Sequence, residues 1–424
     1  MSRPGRRQAF LRKTIRMLLA TIAALCRLHL GHPSGRNHCI SCKIIEKSRS
    51  QNRLSRWQCH ACTLWWISCG LTAMAAPKPE SLPQPVSNNA VAQFVGQGQS
   101  LVFSFLGIGV GKSWDAITTA AYSLNLDTGH WSVIPPVPGA TGRIAASAIS
   151  ASDRVFLFGG YSIDAQGTET TVANVDIYDP RSHRWSRGAD IPVPVDDSVI
   201  GVYRNRYVYL ISGWSNNDTV HNVQIYDSLE NQWQQATPIP GVAVFGHAGS
   251  LVDNTIVYVD GAYLNPHGHS PRYIASTESW MGIIQPSNPA MIIWKSLDPH
   301  PGFARYRIAA GASEADQRVY FSGGTGNPYN FNGIGYNGIP SEPSSVAFYF
   351  DLHNKAWHVI TETVLRPSMD HRALVATSAE LIVAGGMSEH QVVTSAVAVI
   401  PKSADRRNGA PTAPSFQPLP RKPP

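Results

Sequence analysis

Short β-rich apolar runs, each ending in glycine and followed by a polar loop, recur along the chain from about residue 90 to residue 400. The unit is plainest over residues 154–185. A run from Val155 to Phe158 ends in Gly159 and Gly160, a polar loop follows, and a second run from Val172 to Tyr178 leads to a tight turn at Asp179 and to Trp185. A second copy carries Gly213, Tyr226, Asp227 and Trp233, and a third carries Gly323, Gly324, Phe350, Asp351 and Trp357. In all three the aspartate precedes the tryptophan by six residues, a register that chance rarely repeats. Looser copies lie at 101–131, 256–294 and 381–400, the last without a tryptophan, which makes six.

Each copy writes as four strands, in the clearest case a (143–149), b (154–158), c (172–178) and d (184–188). Repeats of this length that encode a few short strands mark propeller blades. One such sheet cannot bury both faces alone, whereas sheets stacked about an axis bury them for one another. The predicted fold is all-β: a six-bladed β-propeller of four-stranded antiparallel blades over residues 77–400. The glycine pair suits close backbone approach or positive φ, and the tryptophan supplies a large apolar wedge between blades. The pattern resembles the kelch repeat. Blade six has no d strand of its own, and Ser81 to Pro85 reads as the end of one. The N-terminal segment is therefore expected to complete that sheet and remove its free edge.

The formal charge of +7 points at first to nucleic acid, but it is unevenly spread. Of 35 bases and 28 acids, the first 76 residues hold 13 and one, so the remainder carries 22 against 27, a net of −5. A mildly acidic body excludes the basic-patch argument for nucleic-acid binding. All six cysteines also lie early, and Cys39-Ile-Ser-Cys42 with Cys59-His-Ala-Cys62 fits the spacing of a zinc ribbon. The context outweighs that spacing. Basic residues at Arg53 and Arg56, the apolar run Ala61 to Leu71 and the small-residue site Ala73-Met74-Ala75-Ala76 form the layout of a secretory signal peptide. Residues 1–76 thus read as a leader whose first part extends beyond the true start. The mature chain begins near Ala76 without cysteine, periplasmic or secreted and free of stable membrane insertion. The tail, 401–424, is proline-rich and reads as disordered. Nothing in the sequence fixes an oligomeric state or calls for a cofactor.

In an antiparallel meander with a innermost, the d-to-a and b-to-c loops share one mouth of the central channel. The longest b-to-c loops are 262–277 and 325–343, and long ordered loops on a rigid scaffold are where function usually sits. Gly142-Arg143, Gly246-His247, Tyr306-Arg307 and His371-Arg372 stand at the start of a strands, and Asp197-Ser198 at that place in another copy. Arg143, Arg307 and Arg372 with His247 would ring one end of the channel, with Arg305 close by, an arrangement suited to a carboxylate, sulfate or phosphate. The plainer alternative pairs each arginine with a loop acid such as Asp196, Asp197 or Asp370. Trp114, Trp214 and Tyr329, with Asn216, Tyr263, Tyr273 and Tyr336, supply the flat rings and amides that a sugar stacks on and bonds to. His267 and His269 have no third ligand at a useful spacing and read as a solvated loop, so no metal site is assigned.

Copper radical oxidases built on kelch propellers need a Tyr–Cys thioether, which a mature chain without cysteine cannot form. A second resemblance reaches beyond the repeat. The stretch LPQPVSNNAVAQFVGQGQSLVFSFLGIG, the final ELIVAGG…TSAVAVI without a last d strand, and the insertion SGGTGNPYNFNGIGYNG resemble the periplasmic N-acetylneuraminate mutarotase (epimerase) family. That resemblance implies interconversion of sialic acid anomers by ring opening and reclosure, with a general base at the anomeric proton and arginines on the carboxylate. It implies Arg143, Arg307, Arg372 and Arg272 as anion clamp, His247 or His371 as proton shuttle and Glu278 as base. The chain departs from the family at one point: a Glu is expected after the blade-four glycine, and here Gly261 is followed by Ala262. The alternative is a non-catalytic periplasmic propeller that binds a glycan or a protein with the same face.

Overall fold

The computed structural model describes residues 77–268, 270–360 and 365–402; the leader with its cysteine pairs, His269 and the tail beyond Lys402 lie outside the described residues. Five sheets are four-stranded antiparallel meanders. They comprise Ala90–Gly96, Gln99–Phe105, Ala121–Asn125 and Trp131–Val133 in blade one, and Ser147–Ala151, Arg154–Phe158, Val175–Asp179 and Arg184–Arg187 in blade two. Blade three is Val199–Tyr203, Tyr207–Ile211, Val223–Asp227 and Gln232–Ala236. Blade four is Ala248–Val252, Thr255–Val259, Ser279–Gln285 and Asn288–Ser296, and blade five is Ala309–Ser313, Arg318–Ser322, Ala347–Asp351 and Ala356–Ile360. The sixth sheet has three strands, Val375–Ala376, Glu380–Ala384 and Val397–Pro401. The first strands of all six touch in ring order, the sixth meeting the first, so a is innermost and the wheel closes.

The Asp-to-Trp register has a local cause at each end. Asp179 Oδ1 accepts the backbone N–H groups of Arg181 and Ser182, Asp227 those of Leu229 and Glu230, and Asp351 those of His353 and Asn354. A side-chain-capped turn of this kind fixes where strand d begins. The tryptophan then reaches the preceding blade. Trp185 Nε1 donates to the Pro135 carbonyl (2.9 Å), Trp233 to Ala189 (2.9 Å), Trp294 to Thr237 (3.4 Å) and Trp357 to Asp298 (2.8 Å). Each acceptor stands four residues beyond the tryptophan of the blade before. The rings wedge as expected, Trp185 lying 5.5 Å from Phe105 and Trp233 5.9 Å from Phe158 of the preceding blades.

Blade six has no such tryptophan, and the N-terminal segment bonds beside the approach to its outer strand without adding a fourth strand to the sheet. Leu82 N donates to Ser395 O (2.8 Å) and Val86 N to Thr394 O (3.2 Å), while Leu82 is buried against Val86 and Ala384. Trp131 of blade one donates its indole N–H to Glu80 O (3.0 Å), so Glu80 stands where a fourth strand of blade six would end.

Several boundaries differ from the sequence reading, and strand c of blade two runs over Val175–Asp179 instead of 172–178. Strand a of blade two starts at Ser147 instead of Arg143, because Ala145 takes φ 57° and interrupts the ladder. The b-to-c loops of blades two, three, four and six also fold partly into small hairpins, such as Tyr161–Ile163 with Glu169–Thr171. No helix among the described residues is long and apolar enough to cross a membrane.

Trp131→Phe and Trp185→Phe each remove one indole hydrogen bond while keeping an apolar ring. Each is expected to lower urea-unfolding stability by about 1 kcal/mol. A cost at Trp185 with none at Trp131 would show that residues 80–86 do not close the ring.

Candidate functional site

One residue of each blade, just before strand a, adopts a left-handed backbone: Asn88, Ala145, Asp197, Gly246, Arg307 and Asp370, with φ between 50° (Arg307) and 66° (Asp370). The residue preceding each forms a bridge to the start of its own b-to-c loop, as Ile144 does with Tyr161 and Met369 with Met387. Gly160 permits this crossing, since a Cβ there would stand 2.7 Å from the Ile144 carbonyl. The left-handed residues then bond to one another around the axis. Asp197 N donates to Ala145 O (3.0 Å), Gly246 N to Asp197 O (2.9 Å), Arg307 N to Gly246 O (2.8 Å), His371 N to Arg307 O (3.2 Å) and Asn88 N to Asp370 O (2.9 Å). Ala145 N closes the circle on Asn88 Oδ1 (3.0 Å). Left-handed non-glycine residues cost on the order of 1 kcal/mol or more each, and this ring of bonds holds five of them.

Their side chains plug the axis. Asp197 accepts Arg307 Nη2 (2.7 Å) and Nε (3.2 Å) and Arg372 Nη1 (2.7 Å). Arg307 Nη1 donates to Asp370 (2.9 Å), which also accepts Tyr329 Oη (3.0 Å), Asn88 Nδ2 (3.1 Å) and Ser87 Oγ. Burial opposes the charge on Asp197, but Arg307 and Arg372 outweigh it and hold the carboxyl below the usual carboxylate range. Its neighbour Asp196 has no cation in contact; burial and the Asp197 charge push it well up, and Thr171 Oγ1 donates to it at 2.6 Å.

The start of every a strand is therefore closed, and below it the channel is a cavity of about 280 Å³ lined by a strands of all six blades. Arg372 and His247 face its blind end. Neither nitrogen of His247, nor Nε of Arg372, has a hydrogen-bond partner. Burial, then the Arg372 charge, pulls His247 down to about 3, and burial pulls His371 to about 4, so both are neutral at physiological pH.

The expected ring of three arginines and a histidine is not formed. Arg307 occupies the left-handed position, Arg143 stands two residues before it in its blade, Arg372 two after, and His247 and His371 one after. Arg143 turns to its own blade, where Nη2 meets Asp176 at 2.7 Å. The plainer pairing with acids describes these three arginines. Glu278 does not face the channel: its Oε2 accepts Trp280 Nε1 (2.9 Å) and Val242 N (3.1 Å) in a surface groove shared with His221 and Tyr263. Tyr329 is fully buried on Asp370, Trp114 is half exposed in the turn Trp114–Ala116, and Trp214 packs 5.6 Å from both Phe245 and Tyr273. Ala262 is fully buried with Phe245 and Tyr273, in an apolar cluster with no room for a solvated carboxylate.

Arg272 differs from the rest. It is exposed, its guanidinium lies 5.2 Å over the Tyr273 ring, and it has no acid partner among the described residues. It borders a depression of about 420 Å³ with Leu264, Asn265, Ser270 and Tyr336. Tyr336 packs 4.6 Å from Tyr273, which joins this depression to Trp214. Asn265 and Leu264 escape a sequence reading because they belong to no repeat position. Glu169, also unmarked in sequence, has its carboxyl raised by burial despite the attraction of Arg307. No cluster of metal-ligating side chains occurs among the described residues.

The two histidines give stability a pH dependence of definite sign. Their folded pKa values lie below the usual 6.5, so their contribution is complete above about pH 6.5 and is lost as pH falls toward 4. His247→Gln is expected to remove about 1.4 kcal/mol per pH unit of the decline between pH 6.5 and 4. Parallel stability curves for wild type and variant in urea titrations would refute a buried neutral His247.

No protein-family profile matches the chain. Kelch-like protein 15 of Gallus gallus is 36% identical over 107 residues, 25% of this chain and 21% of that protein. Kelch-like protein terF of Aspergillus terreus (strain NIH 2624 / FGSC A1156) is 26% identical over 136 residues, 32% of this chain and 29% of that protein. The chain thus matches less than a third of the length of these curated relatives. The solved structure of YjhT superposes with a TM-score of 0.59 at 16% identity, covering 76% of this chain and 96% of that one, a likeness of fold. With the closed ring of six sheets, these likenesses show a kelch-type six-bladed β-propeller.

Proposed function

We propose that this chain is an exported, non-catalytic kelch propeller that binds a carboxylate-bearing sugar on its b-to-c loop face. The observation that carries the reading is Arg272: alone among the four arginines of the expected anion clamp, it is exposed and has no acid partner among the described residues. A guanidinium fork there is available to a carboxylate, and the neighbouring Tyr336 ring offers a stacking surface for the C–H face of a sugar. Export rests on the leader, where the apolar run Ala61 to Leu71 precedes a small-residue cleavage motif.

The same geometry argues against anomer interconversion. Ring opening needs a base at the anomeric hydroxyl. Glu278 is engaged with Trp280 and Val242, Ala262 replaces the carboxylate that the mutarotase resemblance implies, and His247 and His371 are buried at the axis. Binding without proton transfer is what the remaining groups support.

Saturation-transfer NMR with N-acetylneuraminate is expected to show binding that weakens about tenfold or more in Arg272→Ala, the scale of a lost charged hydrogen bond. Exchange NMR of the same samples is expected to show unaccelerated interconversion of the anomers. Equal binding by the variant would refute the site, and faster exchange with added protein would restore the catalytic reading.

A further inference from the structure

Blades two and five both carry an arginine two residues before the left-handed position, Arg143 and Arg305. In blade two the guanidinium meets Asp176 of strand c at 2.7 Å. The equivalent strand c residue in blade five, three before the turn aspartate, is Phe348. Arg305 has therefore kept its place while its partner's place holds an aromatic ring.

The consequence is a buried cation without a mate. Arg305 is 1% exposed, and its guanidinium lies 4.6 Å from the centre of the Phe303 ring and 5.3 Å from that of Phe348. Its Nε and Nη1 have no hydrogen-bond partner, and it forms no ion pair among the described residues. The acid whose charge it feels, Asp260, gives Oδ2 to His300 Nε2 (2.7 Å) and to the Arg305 backbone N–H (2.8 Å), and its buried Oδ1 meets no donor, the Arg305 guanidinium included, among the described residues. Buried guanidinium groups are normally paired, because desolvation of an unpaired one costs several kcal/mol. Nη2 lies close against Gly302, where a Cβ would stand 2.9 Å away, so a residue with a side chain there would press on the group. Phe303, 54% exposed, covers it from the solvent side.

We infer that Arg305 is the floor of a small-oxyanion site beneath Phe303, in which a phosphate or carboxylate group supplies the partner that Asp176 supplies in blade two. The site is separate from Arg272 and does not depend on the sugar reading. Phe303 is the cover over it, and the anion enters where that exposed ring turns outward.

The test uses the folded chain labelled with ¹⁵N-arginine and titrated with sodium phosphate, and separately with sodium acetate, at constant ionic strength against chloride. One Nε–Hε resonance is expected to shift and saturate in wild type and to be absent in Arg305→Met. At ten times the dissociation constant the anion should favour the folded state about elevenfold in wild type and not in the variant. Phosphate response without acetate response assigns the site to phosphate, and the reverse assigns it to carboxylates. Phe348→Asp supplies the missing acid and is expected to abolish both responses. Linear, unsaturating shifts shared by several arginines mean an adventitious ion only and overturn the site. Equal anion stabilisation in wild type and Arg305→Met overturns it too.

Discussion

A single buried carboxylate decides how this molecule is organised. Asp197 of blade three holds Arg307 of blade five and Arg372 of blade six, and Arg307 passes the connection to Asp370. Two guanidinium groups at the axis of a protein would each cost several kcal/mol if unpaired. They are tolerable here because the left-handed ring fixes the donors and acceptors before the side chains meet. The ring in turn runs through a closed wheel, in which the first strand of blade six meets that of blade one and residues 80–86 bond to both blades. Closure, backbone ring and charge network are one cooperative structure.

That structure divides the cations of the chain by role. Arg143, Arg307 and Arg372 have aspartates within hydrogen-bonding distance and act as ties within and between blades. Arg272 lies on a long loop outside the network, where a charge stays solvated and available. Arg305 is the intermediate case, buried like the first group and unpaired like the second. Counting arginines near a channel mouth is therefore a poor guide to ligand binding. What matters is whether each one already has an acid partner.

The fold was legible because its signal is local at both ends. The aspartate caps its own turn and the tryptophan reaches a carbonyl at a constant offset in the previous blade, so their spacing cannot drift. The missing tryptophan of blade six was legible for the same reason. The approach to strand a has no such anchor. Only Gly246 among the six left-handed residues is a glycine, and Ala145, Asp197 and Arg307 look like ordinary strand-entry residues in sequence. An alignment by residue type consequently places arginines in register that the backbone sets two to four positions apart. The direction of Glu278 is illegible for a different reason: beyond its neighbour Trp280 it is fixed by the Val242 amide, 36 residues away in the approach to blade four.

A shared fold does not by itself carry an activity with it, and the packing around Ala262 shows what one residue position depends on. Ala262 pairs with Phe245 across the start of the blade-four loop and is sealed by Tyr273. A carboxylate at that position would lie in an apolar cluster without a donor, and an isolated buried charge neutralises itself or forces the loop outward. Acquiring a base there therefore requires a different loop as well as a different residue, because Phe245 is in turn packed on Tyr306, the neighbour of Arg307. The loop chemistry of blade four and the axial charge network are thus coupled through one aromatic contact.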